Sequence, residues 1–330
     1  GRLELTFADG TQKRLGTNCD TWKAGIAGPV KHAAIFDGET YDARELPGYE
    51  VAEKLKKPEV NQEFKGEILP SEGAEIYLRH DLALSAKKTY IWEGVSGAKE
   101  SQDKKEVEYG KVNIKYSYVT GQTFTLKKGE TLVIDFGQNC SGVPAFTFKA
   151  KEGTQLTCLP AEILNDGNGA ERRGMDGPEG SVHRRNLRVH EKGIRIDYTF
   201  GKDADYVNYY PHCTFFGYRY ISVTTSDDVE FKKVVSIPIS SIAQNLEIGT
   251  ITTGNELINK LISNTRWGQR SNYLSVPTDC PQRDERLGWM ADTQVFTEAG
   301  SFFANTNRFF HKWMRDVRDS QSETGGYPDD

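Results

Sequence analysis

The stretch TFTLKKGETLVIDFGQNCSGVPAFTFKAKEGTQLTCLPAEIL, residues 123–164, alternates runs rich in Val, Ile, Thr and Phe with the turn pairs Lys128-Gly129 and Glu152-Gly153. Glycine readily adopts the left-handed backbone conformation that tight turns need, and β-branched and aromatic residues favour strands. No helical repeat of apolar residues separates these runs. The stretch therefore predicts consecutive antiparallel strands.

The same strand pattern covers most of the chain. Residues 1–15 alternate apolar and polar positions around an Asp9-Gly10 turn, which is a strong hairpin signal. Two further strand-like runs lie at 215–225 and 231–241. Many short strands separated by glycine turns are typical of antiparallel β-sandwiches.

Two polar, glycine-rich segments interrupt the strand pattern at 94–111 and 165–193. Both are typical of long surface loops. We expect a first β-sandwich over 1–115, incomplete at its start, and a second, lectin-like β-sandwich over 116–249.

The spacing of apolar residues becomes helical in residues 250–330. Thr253 and Glu256 have the spacing of a capping box, which marks the start of a helix. The apolar residues that follow repeat at helical spacing: Leu257, Ile258, Leu261 and Ile262. Two more helices are predicted over 291–306 and 307–322, and their short connection favours an antiparallel hairpin.

The last predicted helix has a strongly apolar face. That face is formed by Phe309, Phe310, Trp313, Met314 and Val317. Aromatic pairs such as Phe302-Phe303 and Phe309-Phe310 are more typical of helix packing than of a sugar-binding platform. Because such faces need packing partners and few helices are present, we expect the chain to be a piece of a longer polypeptide.

Composition and charge exclude several classes of protein. The 330 residues are 37% hydrophobic and 27% charged, as in ordinary globular proteins. The formal net charge is −5 and basic residues are interspersed with acids, so no nucleic-acid partner is expected. The longest apolar runs have the length of a strand, far below the roughly 18 residues of a membrane span. No membrane span is therefore expected.

The five cysteines are far apart and include no C-x-x-C pair, and the six histidines show no zinc-ligand spacing. We therefore expect free, mostly buried thiols, no metal at the site and no cofactor. A disulfide or metal framework is the less favoured alternative. The first residues contain no recognisable targeting segment, so the compartment stays unknown, and homo-oligomerisation stays open.

Residues 277–292, PTDCPQRDERLGWMAD, concentrate four carboxylates, two arginines, a thiol and a tryptophan. Pro277, Pro281 and Gly288 disfavour an uninterrupted helix here. A bent loop leading into a helix near Asp292 is therefore predicted. Such a loop can direct several acids towards one point.

This loop contains groups that shift carboxyl pKa values in opposite directions. Apolar surface from Trp289 or the neighbouring acid Asp284 would raise the pKa of a carboxyl, whereas Arg283 or Arg286 would lower it. Acids with separated pKa values are what glycoside hydrolysis requires. The alternative is a solvated charge cluster, or an arginine–acid cluster that only fixes the loop to its neighbours.

The segment RSNYLSVPTDCPQRDERLGWMADTQVF, residues 270–296, strongly resembles the signature of the bacterial-type α-L-rhamnosidases. Residues 21–45 resemble the N-terminal sandwich of that family, and residues 133–148 and 215–223 resemble the sandwich that precedes its helical domain. The resemblance implies antiparallel β-sandwich domains followed by the first helices of an (α/α)6 toroid, over residues 250–330.

The resemblance also implies a function and site residues. The family consists of inverting glycoside hydrolases, and the implied substrate is a rhamnose-containing oligosaccharide, polysaccharide or glycoside. Glu285 matches the acid that protonates the glycosidic oxygen. Asp279 and Asp292 match carboxylates that hold the rhamnose hydroxyls. Trp289 matches an aromatic residue beside the C6 methyl region, and Arg283 matches a substrate-contacting or loop-fixing position.

Three further residues are assigned to the structure of the loop: Cys280, Asp284 and Arg286. The sequence departs from the family pattern at Met290-Ala291, where the family commonly has Thr-Gly. The general base of the family is a glutamate that would lie beyond Asp330. We therefore expect these 330 residues alone to be inactive.

Three other interpretations stay open. A non-catalytic carbohydrate-binding module would use exposed aromatics of the sandwiches, for which Trp22, Tyr41 and Trp92 are candidates. A toroid-fold glycosidase of different sugar specificity would keep the acids and change the sugar. An inactive homologue with a role in assembly is less favoured, because the acidic loop is intact.

Overall fold

The computed structural model describes residues 2–25, 27–45, 55–59, 63, 65–66, 73–99, 109–118, 121–167, 176–187, 193–202 and 205–330. In these residues, strands dominate the chain up to Ser240 and α-helices follow from Glu256. The predicted order of β-sandwich first and helices afterwards is confirmed.

The strands of the described residues are short, apart from one of 19 residues. In chain order they are β1 (Arg2–Thr6), β2 (Gln12–Gly16), β3 (Val30–Ala34), β4 (Gly38–Asp42), β5 (Tyr77–Leu78), β6 (Leu84–Ser85), β7 (Lys88–Ser96), β8 (Lys111–Tyr118), β9 (Phe124–Leu126), β10 (Thr131–Lys149), β11 (Gln155–Ala161), β12 (Ile163–Leu164), β13 (Val182–His183), β14 (Arg195–Thr199), β15 (Val207–Tyr209), β16 (Phe216–Thr225), β17 (Val229–Ser240), β18 (Tyr273–Leu274) and β19 (Val276–Pro277).

One large sheet holds thirteen of the described strands. Its main path runs β3-β4-β14-β11-β16-β10-β17-β5, and its neighbours pair antiparallel except for the parallel pair β4 and β14. The sheet therefore joins strands that lie far apart in the sequence. Strands β3 and β4 from the beginning of the chain reach it through β14.

The long strand β10 is the centre of this sheet. Residues 131–135 pair with both β7 and β16, whereas residues 142–149 pair with β17. A bulge between Asp135 and Cys140 interrupts the register, and Gly137 lies in it with φ 77°. That backbone angle suits glycine, so the residue allows the strand to change partners along its length.

The largest apolar cluster lies against this sheet and is rich in aromatic side chains. Phe148 contacts Phe200 at a ring-centroid distance of 4.7 Å and Tyr198 at 5.1 Å. Phe216 and Tyr218 of β16 are also almost fully buried. Each buried aromatic side chain removes about 150–250 Å² from water, so this cluster is a major source of stability.

The predicted turns are present, and the predicted loops are only partly described. Strands β1 and β2 form the predicted hairpin around Asp9-Gly10. Of the segments interpreted as loops, residues 100–108, 168–175 and 188–192 lie outside the described residues.

The division of the strand-rich part into sandwiches over 1–115 and 116–249 stays a prediction. Its first boundary, between residues 115 and 116, falls inside β8, which pairs with β7. Strand β7 in turn pairs with β10, so strands on both sides of that boundary belong to one sheet.

Three helices follow the strands in the described residues: α1 (Glu256–Asn272), α2 (Met290–Phe303) and α3 (Asn307–Asp319). The capping residue of α1 is Asn255, whose side-chain oxygen accepts from the backbone N–H groups of Leu257 and Ile258. The predicted capping box at Thr253 is therefore wrong. The Thr253 hydroxyl instead donates to the Asn255 carbonyl oxygen.

Helix α3 buries most of its predicted apolar face. Phe309, Trp313 and Val317 are buried, and Phe309 stacks on Tyr273 with ring centroids 4.4 Å apart. Met314 was predicted on the same face, but it is 57% exposed. It follows Trp313 directly and lies about 100° further around the helix, because an α-helix has 3.6 residues per turn.

Other apolar helix residues lie on the surface. Leu257 and Leu261 of α1 are 81% and 65% exposed, and Val295 of α2 is 83% exposed. Of the aromatic pair that ends α2, Phe303 is buried and Phe302 is exposed.

In the part of the chain that the structure describes, no helix combines the length and apolar character needed to cross a bilayer.

The five cysteines are all free, as predicted, and Cys140, Cys158 and Cys280 are buried. Of the three aromatics considered for a sugar-binding module, Trp22 is exposed. Tyr41 stacks on Tyr198, and Trp92 is half-buried.

A cluster of ionic contacts joins the strand-rich part of the chain to α1. Glu247 accepts hydrogen bonds from Arg79, Arg266 and Arg270, with its nearest contact at 2.6 Å. Arg79 is only 3% exposed and also pairs with Asp81. Burial alone would raise the pKa of Glu247, but the hydrogen bonds from Arg270 and Arg79 outweigh it and lower that pKa.

Replacement of Glu247 tests this cluster. At neutral pH, Glu247→Gln should lower the free energy of unfolding by about 3 kcal/mol, because it leaves the buried Arg79 and the partly buried Arg266 and Arg270 without their shared anion. Because the folded-state pKa of Glu247 lies below its ordinary value of 4.5, the stabilising contribution of the carboxylate is complete above that value and is lost as the pH falls through the folded-state pKa. The difference from wild type in denaturant unfolding should therefore shrink as the pH falls below about 4.5.

Asp228→Asn is the matched control, because Asp228 forms an exposed ion pair with Lys127. This control should unfold like the wild type. If Glu247→Gln is as stable as the control at neutral pH, the cluster does not stabilise the junction.

Candidate active site

Residues 278–289 form the predicted bent loop between β19 and α2. The backbone N–H of Asp279 donates to the carbonyl oxygen of Leu287 at 2.9 Å, and the Leu287 N–H donates to Asp279 Oδ1 at 2.8 Å. These two bonds close the loop at its base. Helix α2 begins at Met290, one residue before the predicted range of 291–306.

Arg283 lies between two carboxylates of this closed loop. Its Nη2 lies 2.7 Å from Glu285 Oε2 and 3.3 Å from Asp279 Oδ2. Burial opposes the charge of the guanidinium, but Cys280 and these two acids outweigh it and raise the pKa of Arg283. The loop therefore brings Asp279 and Glu285 together around one cation.

Trp289 contacts Glu285 through its polar edge. The indole N–H donates to Glu285 Oε1 at 3.2 Å. Glu285 thus has one carboxylate oxygen facing Arg283 and the other facing Trp289. The sequence predicted a role only for the apolar surface of this tryptophan.

Asp292 lies in the first turn of α2, beside a cavity of about 350 Å³ that Asp279 also lines. The walls of this cavity include Thr278 and Phe296. Glu285, Arg283 and Trp289 do not line it. The five predicted site residues therefore form two adjacent groups that share Asp279.

Three possible metal-ligand atoms lie within 4.8 Å of one another, on Asp279, Cys280 and Glu285. The surroundings do not suit a cation, because Arg283 already contacts both carboxylates. Burial and the nearby Asp279 raise the pKa of the Cys280 thiol, which disfavours the thiolate that metals bind. We therefore assign no metal to this group.

The residues assigned to loop structure lie inside the loop. Cys280 and Arg286 are buried, and Asp284 is half-buried. Arg286 has a left-handed backbone, with φ 54°. Its guanidinium contacts parts of the chain that lie far away in the sequence.

One further carboxylate near the site, that of Glu162, is not among the residues predicted from the sequence. Glu162 follows β11, and its oxygens accept from the side-chain amides of Asn139 and Asn186 at 2.9 and 3.0 Å. Burial raises the pKa of Glu162, and the nearby charge of Arg283 opposes that change. Its position depends on the packing of distant segments, so no local pattern marks it.

Two glycines allow the loop to lie close to its neighbours. A Cβ atom at Gly217 of β16 would lie 2.8 Å from the Pro281 backbone carbon. A Cβ atom at Gly288 would lie 2.3 Å from Cη2 of Trp313. The loop is therefore packed against β16 at one end and against α3 at the other.

Gly288→Ala tests this packing. The added methyl group should displace the loop or Trp313, and overpacking of this kind costs about 1–3 kcal/mol. The melting temperature should fall accordingly, and it can be measured by calorimetry. Gly254→Ala is the control, since a Cβ atom there has no neighbour within 4 Å. Equal melting temperatures for the two variants would contradict the close contact.

Three family profiles match the chain in consecutive segments. Residues 1–74 match an alpha-L-rhamnosidase N-terminal domain. Residues 124–240 match a bacterial alpha-L-rhamnosidase concanavalin-like domain. Residues 246–330, which contain the charged loop, match a bacterial alpha-L-rhamnosidase 6 hairpin glycosidase domain.

Two individual alpha-L-rhamnosidases are also similar to this chain over nearly its whole length. An alpha-L-rhamnosidase of Formosa agariphila is 29% identical over 332 residues, covering 99% of this chain and 30% of that protein. An alpha-L-rhamnosidase of Alteromonas sp. is 28% identical, with 99% and 30% covered. The chain thus spans less than a third of the length of these relatives.

A solved structure shares the fold. The crystal structure of a Streptomyces avermitilis alpha-L-rhamnosidase in complex with L-rhamnose superimposes with a TM-score of 0.69 and 27% sequence identity. The match covers 99% of this chain and 27% of that structure. Strands and helices of the described residues therefore follow a known arrangement.

Proposed function

Because the chain belongs to the bacterial α-L-rhamnosidases over three consecutive segments, we propose that the whole protein hydrolyses terminal α-L-rhamnosides. Its substrate would be a rhamnose-containing oligosaccharide, polysaccharide or glycoside. The observation that carries the proposal is the closed loop that groups Glu285 with Arg283, Asp279 and Trp289. This loop lies beside the cavity that Asp279 and Asp292 line.

Glu285 is the proposed proton donor. Its carboxyl group would give a proton to the glycosidic oxygen while the bond from that oxygen to the anomeric carbon breaks. Water would attack the opposite face of the sugar, and a general base would take its proton, so the anomeric configuration would invert. That base is expected beyond Asp330.

The contacts of Glu285 stabilise the carboxylate that proton donation would leave. The carboxyl group becomes negative as it gives up its proton, and both of its oxygens already face a donor. Arg283 lies 2.7 Å from Oε2 and Trp289 donates to Oε1 at 3.2 Å. Donors that are in place before the reaction stabilise charge that develops in the transition state.

Asp279 and Asp292 are the proposed ligands of sugar hydroxyl groups. Carboxylates accept hydrogen bonds from hydroxyls, and charged acceptors form the stronger bonds. The cavity of about 350 Å³ between them lies at the lower end of the range for small-molecule sites, which suits a monosaccharide. Trp289 would pack beside the C6 methyl region of the sugar, and Arg283 would contact the substrate or fix the loop.

Replacement of Glu285 tests the proton donor. For a phenyl α-L-rhamnoside, whose leaving group needs a proton, Glu285→Gln should lower kcat/KM about 10³-fold. For a dinitrophenyl α-L-rhamnoside the loss should be far smaller, because that leaving group departs without a proton. Initial rates with both substrates, measured in the whole protein, give the comparison.

Glu298→Gln is the control, because Glu298 lies exposed on α2. It should keep wild-type rates on both substrates. Equal, small losses for both substrates in Glu285→Gln would contradict the proposed role.

Asp292→Asn tests sugar binding. Asp292 is a clearer choice than Asp279, which also holds the loop closed through Leu287. Loss of a charged hydrogen bond to a sugar hydroxyl should lower kcat/KM about 10-fold to 100-fold on both substrates, independent of the leaving group. Competitive inhibition by free L-rhamnose should weaken to a similar degree. Unchanged inhibition would place the sugar elsewhere.

A further inference from the structure

Arg286 follows the proposed proton donor directly and is buried, with 8% of its surface exposed. Its backbone is left-handed at φ 54°, a conformation that non-glycine residues rarely adopt. Such a conformation persists only where the surroundings hold it. The contacts of its side chain are therefore candidates for what holds this part of the loop.

The guanidinium is enclosed by two phenylalanine rings and by backbone carbonyl groups. Its central carbon lies 4.6 Å from the ring centroid of Phe215 and 5.2 Å from that of Phe36. Nη1 donates to the Ile35 carbonyl oxygen at 2.8 Å and to that of Phe215 at 3.4 Å. Nε donates to the Arg283 carbonyl oxygen of the loop itself at 3.0 Å.

These contacts come from three separate parts of the chain. Ile35 and Phe36 lie in the turn between β3 and β4, near the beginning of the sequence, and Phe215 lies just before β16. Burial lowers the pKa of Arg286 to about 10, so the side chain still carries its charge at neutral pH. A charged guanidinium between two rings gains cation–π attraction where water is excluded.

We propose that Arg286 is a positioning residue, through which the Ile35–Phe36 turn and Phe215 fix the backbone that carries Glu285. This inference rests on the proposed function, because it concerns the placement of the proton donor. It gives the N-terminal strands β3 and β4 a part in catalysis without any contact with the sugar. A displacement of about 1 Å at a reacting group can cost a factor of 10² in rate.

Three variants of the whole protein test the inference. Arg286→Met removes the charge and every hydrogen bond of the side chain, and Arg286→Lys keeps the charge. Phe36→Ala removes one of the two rings and leaves the sequence of the loop unchanged. Phe7→Ala is the control for the ring, since Phe7 also lies in a turn between two N-terminal strands and is also partly exposed, at 49% against 37% for Phe36.

For the phenyl rhamnoside, Arg286→Met should lower kcat about 10²-fold and change KM far less, because the donor is displaced whereas the sugar ligand Asp292 lies on α2. Arg286→Lys should recover part of that loss, and Phe36→Ala should lose about 10-fold. All three should lose much less on the dinitrophenyl rhamnoside, whereas a general loss of folded protein would reduce both rates equally. Phe7→Ala should match the wild type.

Amide hydrogen exchange supplies a readout that does not depend on activity. Exchange in residues 279–289 should be faster in Phe36→Ala than in Phe7→Ala, and this comparison stands even if Arg286→Met fails to fold. Should the wild type hydrolyse neither rhamnoside, the proposed function fails, and the exchange comparison alone decides whether Phe36 helps to hold the loop. Unchanged exchange in Phe36→Ala, or equal losses on both substrates, would overturn the inference.

Discussion

The candidate site depends on the guanidinium of Arg283, which lies between two carboxylates of one short loop. Two like charges this close would repel each other. With Arg283 at 2.7 Å from Glu285 and 3.3 Å from Asp279, the two acids can lie side by side. A proposed proton donor and a proposed sugar ligand are thereby held together through one cation.

The strand-rich part of the chain gives this loop its support. Gly217 of β16 lies so close to Pro281 that a side chain there would collide with the loop. Arg286 connects the loop to Phe215 and to the turn at Phe36. Because β16 and β4 belong to the same sheet, the loop is held by elements that are themselves fixed to one another.

The sequence predicted much of this arrangement, because its strongest signals are local. Glycine turns and β-branched runs identified the strands, and Pro277, Pro281 and Gly288 predicted the bent loop. Local patterns fail where neighbouring residues compete, as with Thr253 and Asn255 for the start of α1. Both residue types favour that position, and only the path of the backbone decides between them.

Contacts between distant segments could not be predicted from the sequence. Nothing near Phe36 in the chain indicates a contact with Arg286, which is 250 residues away. Glu162 likewise approaches Arg283 only because β11 and the loop meet in the folded chain. The resemblance to a family supplied roles for individual acids, whereas the structure supplied the contacts that hold them.

A crystal structure of the whole protein with the α-anomer of L-rhamnose bound tests the assignment of Glu285 as proton donor, because the anomeric oxygen of this anomer takes the place of the glycosidic oxygen. We expect a Glu285 oxygen about 2.6–3.2 Å from that anomeric oxygen, with Asp279 and Asp292 on the sugar hydroxyls. An α-anomer bound with another carboxyl group at its anomeric oxygen, and Glu285 remote from the sugar, would contradict this assignment.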